Sequence, residues 1–296
     1  DLKLRYGWFI FPLLLCNLSW GQMKHPKASP FARIEQEVGL SKITVEYSRP
    51  SAKGRTLFGN QPNGAPGLVP YGRIWRVGAN ESTKITFSTN VIIGDNSLEK
   101  GTYALYAFPN ENKWEIVFHK NLTHWGDGRK NYDPNEDVLR IALLPTEVKD
   151  FQESFLISFD DINHNGTLMN WNWGTTQISI PIHFDTKAIM KVQIADKLSN
   201  APSAQTYYEI ARYYQEQNIY TNEAKEYVER AIELGGDTYY FHRVRSLILA
   251  DLKMFDEAIT AAKISMKLAE KEGKDEFVRL NQDNIAHWKA LSIIKK

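Results

Sequence analysis

Ile43-Thr44-Val45-Glu46-Tyr47-Ser48 is the stretch that decides the fold of the first half of this chain, because apolar and polar residues alternate strictly along it. A period of two is the pattern of a β-strand with one face against a core. The same alternation recurs at residues 85–88, 103–107, 114–118 and 178–182. The links between these segments are short, and short links favour antiparallel pairing. The pattern therefore predicts a sheet-rich domain.

Turn signals separate the predicted strands. Gly94-Asp95-Asn96, the Pro-Asn-Glu-Asn stretch at 109–112 and the Asn-His-Asn-Gly stretch at 163–166 are rich in the residues that turns require. Roughly nine or ten strands are expected, with no helix-length periodic segment among them. We predict an antiparallel β-sandwich or jelly-roll-like domain over residues 22–184.

Beyond Phe184 the chain is rich in Ala, Glu, Lys and Leu, and the alternation stops. Shifted by 34 residues the segment matches itself, with Tyr207 on Phe241 and Leu234 on Leu268. Small residues recur at Ala224, Ala231, Ala258, Ala262 and Ser265. This resembles the tetratricopeptide repeat, whose paired helices pack through small residues. We predict an α+β multidomain chain, in which residues 185–296 form an all-α array of tetratricopeptide-like helical hairpins.

Such an array would present a concave surface to a peptide or protein partner. The predicted groove residues are Tyr208, Arg212, Gln215 and Arg245. The alternative is a packing domain that covers one side of the β-domain, and the sequence does not separate the two.

Residues 1–21 have the layout of a secretory signal peptide, with Lys3 and Arg5 before an apolar run at 7–15 and small residues near the cleavage point. The run is too short to span a bilayer, which needs about 20 residues. An exported protein, periplasmic or extracellular and without a transmembrane segment, is expected. Lipoprotein anchoring at Cys16 is the less favoured alternative, because a large residue precedes the cysteine.

Charge and cysteine content exclude several function classes. Without Lys3, Arg5 and Asp1, the 36 basic and 35 acidic residues of the chain become 34 of each. A nucleic-acid binder would show a strong basic excess. Cys16 is the only cysteine. After removal of the signal peptide, the chain would have no disulfide, no thiol nucleophile and no cysteine-ligated metal.

Polar chemistry is concentrated in residues 47–87, where arginines stand beside glycines. Arginine forks suit carboxylates and phosphates, and glycine lets the backbone approach a bound group. The predicted ligand-binding residues are Arg49, Lys53, Arg55, Trp75, Arg76, Asn80 and Glu81. The expected ligand is anionic or a carbohydrate, with Trp75 as an apolar platform.

A structural interpretation of this block stays open. Arg49 and Arg76 would then pair with Glu46 and Glu81 and pin a long loop, and Trp75 would be a core residue.

Two further functions also stay open. One is a hydrolase of envelope polymers, with Glu81 or Glu46 as general base and Arg76 stabilising negative charge. The other is a structural envelope component without a small ligand.

No metal or cofactor is predicted. His119 and His124 bracket a strand end and could join Asp127 in a two-histidine, one-carboxylate site, but their spacing matches no ligand pattern. Surface or turn histidines are therefore expected. Residues 160–166 resemble half of a calcium loop without its terminal glutamate, so a hairpin turn is expected there.

Several motifs of the β-domain are specific. They are Val-Glu-Tyr-Ser-Arg-Pro-Ser at 45–51 with Lys-Gly-Arg at 53–55, Leu-Val-Pro-Tyr-Gly at 68–72, Trp-Arg-Val-Gly-Ala-Asn-Glu at 75–81 and Gly-Thr-Tyr-Ala-Leu at 101–105. Together they resemble a family of exported bacterial proteins known as domain of unknown function 2911, over about residues 29–182. The resemblance implies a fold and an exported location, and it supplies no activity or catalytic residue. An insertion at 61–66 lengthens one loop relative to the family pattern.

Overall fold

The computed structural model describes residues 25–124 and 130–294. The predicted signal peptide, Cys16 and Asp127 lie outside these residues. The chain divides between Phe184 and Asp185 into two compact units. The first unit consists of strands and the second of helices.

Ten strands form the described part of the first unit. They are β1 (Phe31–Val38), β2 (Ser41–Ser48), β3 (Thr83–Phe87), β4 (Val91–Ile93), β5 (Asn96–Leu98), β6 (Gly101–Phe108), β7 (Trp114–His119), β8 (Asp137–Leu143), β9 (Thr146–Asp160) and β10 (Gly166–His183). They make a six-stranded sheet in the order β1-β2-β3-β6-β7-β8 and a four-stranded sheet in the order β5-β4-β10-β9. Every strand pairing within them is antiparallel. Among the described strands neither sheet closes into a barrel, so the fold is the predicted sandwich rather than a barrel.

Residues that alternate between apolar and polar in the sequence alternate between more and less buried side chains in the structure. Ile43, Val45 and Tyr47 of β2 are buried, whereas the polar residues between them are half-buried. Ile178, Ile180 and Ile182 of β10 behave likewise in the other sheet. The inward-facing side chains of both sheets form one continuous apolar core. The predicted turns at 94–96, 109–112 and 163–166 connect consecutive strands.

A second, smaller cluster of buried residues lies on the other face of the six-stranded sheet. Ala104 and Tyr106 of β6 and Val117 of β7 form it, and Leu122 and Tyr132 pack against it. The last two belong to the connection between β7 and β8, which contains a short 3-10 turn at Pro134–Glu136. This connection therefore covers part of the outer face of the sheet.

The long connection between β2 and β3 hydrogen-bonds to both sheets. Trp75 and Ala107 of β6 exchange two backbone hydrogen bonds of 2.8 Å. Ser51 forms an isolated bridge with Ser154 of β9, and their hydroxyl oxygens lie 2.7 Å apart. The connection, which carries most of the arginine-rich block, is thus attached to a rigid scaffold on two sides.

The second unit contains six helices. They are α1 (Thr186–Ser199), α2 (Ala204–Glu216), α3 (Thr221–Gly235), α4 (Tyr239–Asp251), α5 (Phe255–Lys271) and α6 (Asp275–Ile294). Side chains of Asp185, Ser203 and Thr238 accept hydrogen bonds from the first turns of α1, α2 and α4, which is the ordinary device for starting a helix. None of the helices in the described ranges is both long and apolar enough to cross a bilayer.

The small residues predicted as packing points are fully buried. Ala224 and Ala231 lie on α3, and Ala258, Ala262 and Ser265 lie on α5. Small side chains let neighbouring helices approach closely, which explains why α3 packs on α2 and α5 packs on both α4 and α6. The likeness to the tetratricopeptide repeat itself stays a prediction.

Candidate functional site

A cleft of about 620 Å³ lies along the connection between β2 and β3. Four cationic side chains line it, namely Lys53, Arg55, Arg73 and Arg76. None of the described residues in its lining is acidic. The first three of these cations are exposed and Arg76 is half-buried. The cleft is therefore a positively charged depression open to solvent.

The turn that carries Lys53 and Arg55 is defined by its backbone. Lys53 and Gly54 both have positive φ, at 49° and 68°, which is the geometry of a tight turn. The backbone N–H of Lys53 donates to Oε1 of Glu153 on β9 at 2.8 Å. Arg55 folds back on the same turn, and its guanidinium donates to the carbonyls of Ser51 and Ala52 at 2.7 and 3.0 Å. These bonds hold the Arg55 guanidinium against the backbone of the turn, whereas the Lys53 side chain is exposed to solvent.

The backbone after Arg76 is strained. Val77 has a φ of 55° and Gly78 a φ of 139°. A β-branched residue with positive φ is uncommon, and such conformations cost of the order of 1–3 kcal/mol. The hydroxyl of Thr83 donates to the Val77 carbonyl, and the Thr83 N–H donates to the Arg76 carbonyl at 3.1 Å. Strained backbone that its surroundings hold in place is a common property of binding and catalytic sites.

Trp75 belongs to the core and offers no platform to a ligand. Its side chain is 7% exposed. Its ring lies 5.1–6.1 Å, centroid to centroid, from the rings of Phe58, Trp114, Phe155 and Trp173. The indole N–H donates to the carbonyl of Gly78 at 3.3 Å. Trp75 therefore fills the edge of the sandwich beneath the cleft, in agreement with the core interpretation of this residue.

The other predicted ligand-binding residues do not line the cleft. Nε of Arg49, the residue just after β2, donates to the carbonyl of Phe155 on β9 at 2.8 Å. Nδ2 of Asn80 donates to Ser29 and Ser48 at 3.2 and 3.1 Å. Asn80 has a φ of 63°, in the left-handed region, and its side chain stabilises the loop.

The glutamates expected beside Arg49 and Arg76 each lie close to another cation. Glu81 forms an exposed ion pair of 2.8 Å with Lys84, and Glu46 lies 3.6 Å from Arg33 on the neighbouring strand. Both glutamates line a separate recess of about 530 Å³. No carboxylate pair therefore faces the cationic cleft from these two positions.

Sequence reasoning left Arg73 out of the predicted binding residues, although it stands within the arginine-rich block. Arg73 follows Gly72, whose positive φ of 70° is typical of a turn. The Arg73 side chain is exposed. The Tyr-Gly-Arg order at 71–73 is the local signal that could have identified it, because a residue after a tight turn is usually exposed.

A second polar constellation lies on the outer face of the six-stranded sheet. His119, His124 and Glu136 each offer one ligand atom, and these atoms all lie within 4.8 Å of one another. His119 is 0% exposed and His124 is 7% exposed. The expected surface position is wrong for both histidines, because their side chains are buried. His124 does lie in a loop, since it belongs to the connection between β7 and β8. The predicted third ligand, Asp127, lies outside the described residues.

Asp137 organises the neighbourhood of His119. Its carboxylate lies 3.0 Å from Nδ1 of His119 and accepts hydrogen bonds from the Tyr132 hydroxyl at 2.7 Å and from Arg140 at 2.8 Å. The Tyr132 ring stacks on the His119 imidazole at 5.0 Å between centroids. Burial and the hydrogen bond to Asp137 raise the pKa of Tyr132, so its phenol stays protonated and keeps donating at neutral pH. The network fixes the orientation of the His119 ring.

The predicted groove residues of the helical unit contact their own chain. Arg212 pairs with Glu216 at 2.7 Å on the same helix, and Nε2 of Gln215 donates to Asp251 at 3.2 Å. Tyr208 is 8% exposed and belongs to the helical core. A separate recess of about 400 Å³ lies among α1, α2 and α3. Its aromatic lining consists of Tyr213, Tyr214, Tyr220 and Tyr227.

Residues 29–182 match the model of a family described as "Protein of unknown function (DUF2911)". This stretch is more than half of the chain and contains all the strands except the last residue of β10, together with the whole arginine-rich block. No curated protein and no solved structure matches the chain. The likeness in sequence thus shows the family, while the function has to be argued from the geometry.

Proposed function

The chain belongs to the DUF2911 family, a family of unknown function, and we propose that it is an exported binding protein whose β-domain takes a small anionic ligand in the cationic cleft. The ligand class is a carboxylate or a phosphate. The observation that carries the proposal is the lining of the cleft, in which all four charged residues are cations.

Electrostatics support an anion rather than a neutral molecule. A cleft lined by charges of one sign concentrates its field and raises the local concentration of oppositely charged ligands. An anion that enters the cleft is attracted by the cations that line it. Guanidinium groups also present several N–H donors in a plane, which suits the paired oxygens of carboxylates and phosphates.

A neutral carbohydrate is the less suitable ligand. Neutral sugars commonly bind with a face stacked on an exposed aromatic ring, and such a ring has to be accessible. Trp75 and Trp173 both line the cleft, but they are only 7% and 3% exposed. An acidic sugar would be recognised through its carboxylate, so it falls within the proposed class.

The envelope-polymer hydrolase has less support than the binding protein. A glycosidase needs two carboxylates on either side of the scissile bond. Glu46 and Glu81 line the separate recess, where each is close to a cation of its own. Glu81 lies outside the cationic cleft, so Glu81→Gln should leave anion binding in the cleft unchanged.

The helical unit is proposed to dock a peptide or protein partner, which the sequence predicts from its likeness to helical repeats. The groove residues first expected are used within the unit itself. The exposed tyrosine-lined recess among α1, α2 and α3 is the better candidate surface, because tyrosine supplies contact area and a hydrogen-bonding group together.

Isothermal titration tests the anion site with matched probes. Glucuronate and glucose differ in the carboxylate, so their comparison isolates charge, and inorganic phosphate tests the second anion class. Wild-type chain should bind glucuronate or phosphate and not glucose. At 100 times its dissociation constant, a ligand of this kind should also stabilise the chain by about 2.7 kcal/mol.

The double variant Lys53→Gln with Arg73→Gln removes two exposed cations from the cleft, and Lys113→Gln removes one exposed cation from the turn between β6 and β7. The double variant should weaken anion binding by about tenfold, which corresponds to about 1.4 kcal/mol. Lys113→Gln should not change it. Equal binding by all three proteins, or no binding of either anion, would refute the proposal and favour a structural envelope component.

A further inference from the structure

We propose that His119, His124 and Glu136 form a binding site for one divalent transition-metal ion, on the outer face of the six-stranded sheet and outside the cationic cleft. Two imidazole nitrogens and one carboxylate oxygen within 4.8 Å of one another are a ligand set of the zinc and iron type. The two histidines come from the end of β7 and from the residues just after it, and Glu136 directly precedes β8.

The separation between His119 and Glu136 fits two ligands of one ion. Nε2 of His119 lies 3.4 Å from Oε2 of Glu136. Two atoms bound to the same tetrahedral ion at about 2.0–2.1 Å lie about 3.3–3.4 Å apart. A direct hydrogen bond would be shorter, at about 2.7–3.2 Å. The distance is therefore that of two atoms facing a common centre.

The Nε2 atom of His119 also lacks any other partner among the described residues. It is buried, it makes no hydrogen bond, and its side chain is 0% exposed. A buried polar atom without a hydrogen bond costs about 1–3 kcal/mol, so native proteins seldom leave one in place without a reason. A metal ion at this position would satisfy the atom.

The opposite edge of each imidazole has a fixed neighbour. Nδ1 of His119 lies 3.0 Å from the Asp137 carboxylate, and Nδ1 of His124 lies 3.3 Å from the Tyr106 hydroxyl. Histidines that bind metals usually donate their other N–H to a carboxylate or another oxygen, which fixes the tautomer and the ring orientation. Asp137 and Tyr106 are positioning residues in this arrangement, and Nε2 of His119 is left facing Glu136.

The same neighbourhood has a metal-free interpretation. His119 lies between Asp137 on one side and Glu136 on the other, so a protonated imidazolium could pair with both. This interpretation gives no role to His124, whose ring stands 5.5 Å from the His119 ring, centroid to centroid. It predicts no binding of a transition metal, which makes the two interpretations separable.

The chemistry of the ligands selects the class of ion. Imidazole suits zinc, iron, nickel and copper, whereas magnesium and calcium prefer oxygen ligands only. Zinc is therefore the test ion, cobalt is a spectroscopic substitute for it, and magnesium is a negative control. The full chain, first treated with a chelator, is titrated with zinc against a competing metal indicator.

Wild-type chain should bind one zinc ion with a dissociation constant below about 1 µM. His124→Ala should weaken binding by about 100-fold and Glu136→Gln by at least about tenfold, since each removes one ligand. His287→Ala, which changes an exposed histidine on α6, is the matched control and should bind as the wild type does. Circular dichroism checks that each variant is folded, and the partly exposed Glu136 keeps the test decisive if a buried histidine variant fails to fold.

Cobalt supplies an independent readout, because its visible absorption bands depend on the ligands. The cobalt spectrum of Glu136→Gln should differ from that of the wild type, whereas that of His287→Ala should not. A wild-type chain that binds no zinc would overturn the proposal and leave the imidazolium interpretation. Zinc binding that is equally strong in His124→Ala and Glu136→Gln would overturn it as well, because the ion would then lie elsewhere.

Discussion

The variant Trp75→Ala distinguishes between a core role and a ligand-binding role for Trp75. The expected change in the free energy of unfolding follows from the contacts of its side chain. The substitution removes a side chain that is 7% exposed and surrounded by four aromatic rings. Truncating a buried Trp or Phe to Ala typically costs about 3–5 kcal/mol. The indole N–H bond to Gly78, at 3.3 Å, is also lost, which is worth about 1 kcal/mol. We expect a loss of about 4 kcal/mol in the free energy of unfolding of the β-domain.

Two companion variants divide this loss into its parts. Trp75→Phe keeps an aromatic ring among its neighbours and loses the N–H donor, so it should cost about 1–2 kcal/mol. Arg73→Ala changes an exposed side chain two positions earlier on the same connection, and it should stay within about 0.5 kcal/mol of the wild type.

Urea unfolding, followed by near-ultraviolet circular dichroism and by far-ultraviolet dichroism, measures these effects. The first signal reports on the aromatic residues of both units, including the buried Trp288 of α6, and the second mainly on the helical unit. Two units require two transitions to be fitted separately. At about 2–4 °C per kcal/mol, Trp75→Ala should lower the melting temperature of the first unit by about 8–16 °C.

The opposite pattern would refute the assignment of Trp75 to the core. If Trp75→Ala unfolded within 1 kcal/mol of the wild type and lost glucuronate binding, the ring would be a ligand platform. If Trp75→Phe keeps anion binding while Arg73→Ala weakens it, then the core and the binding surface are separate, as the geometry of the cleft implies.

Three further predictions concern other parts of the first unit. Gly78→Ala should destabilise it by at least about 1–3 kcal/mol in urea unfolding, because a Cβ at this position would lie 2.7 Å from the Ser48 carbonyl oxygen; stability equal to the wild type would contradict this. Burial raises the pKa of Tyr47 above its ordinary value of 10.0, so the stability it contributes is full below that pH and is lost as the pH rises towards the folded-state pKa. Tyr47→Phe removes the hydroxyl that accepts from the Ile157 N–H at 3.1 Å, so it should unfold more easily at pH 7. It should also lose less stability between about pH 9 and 11, and an unchanged slope in that range would show that Tyr47 is not the titrating group. Asp137→Asn should weaken zinc binding by about 10–100-fold, because it alters the partner of His119 Nδ1, and rescue by Asp137→Glu would distinguish positioning from loss of the fold.

The strands and turns of the first unit could be predicted from the sequence because their signals are local. Alternation along β2 depends only on neighbouring residues, and the same face of the strand is buried in the structure. Gly94 and Asp95 are turn residues, and they connect β4 to β5 as expected. The small residues of α3 and α5 were recognisable by their spacing for the same reason.

The cationic cleft could be predicted only in part. Its four cations all stand within the arginine-rich block, and three of them, Lys53, Arg55 and Arg76, were named as binding residues. Arg49, Asn80 and Glu81 were named with them, but Arg49 and Asn80 donate to the protein itself and Glu81 faces another recess. Composition indicates how much charge a segment carries. The direction of each side chain depends on the path of a long loop. A loop has no regular spacing of residues from which the direction of a side chain can be predicted.

Local patterns of residues were enough to predict the two-part architecture, the strand-forming segments and the concentration of positive charge before β3. The proximity of His119 and Glu136, which are 17 positions apart, follows only from the folded chain. Pairing of β7 with β8, with a register shift between Phe118 and His119, brings His119 opposite Asp137 and next to Glu136. Such a contact arises from hydrogen bonding between strands that are separated by a long connection. Local periodicity carries the pattern of each strand, but it does not specify which partner residue will stand opposite. The sequence therefore did not indicate that Glu136 would lie beside His119.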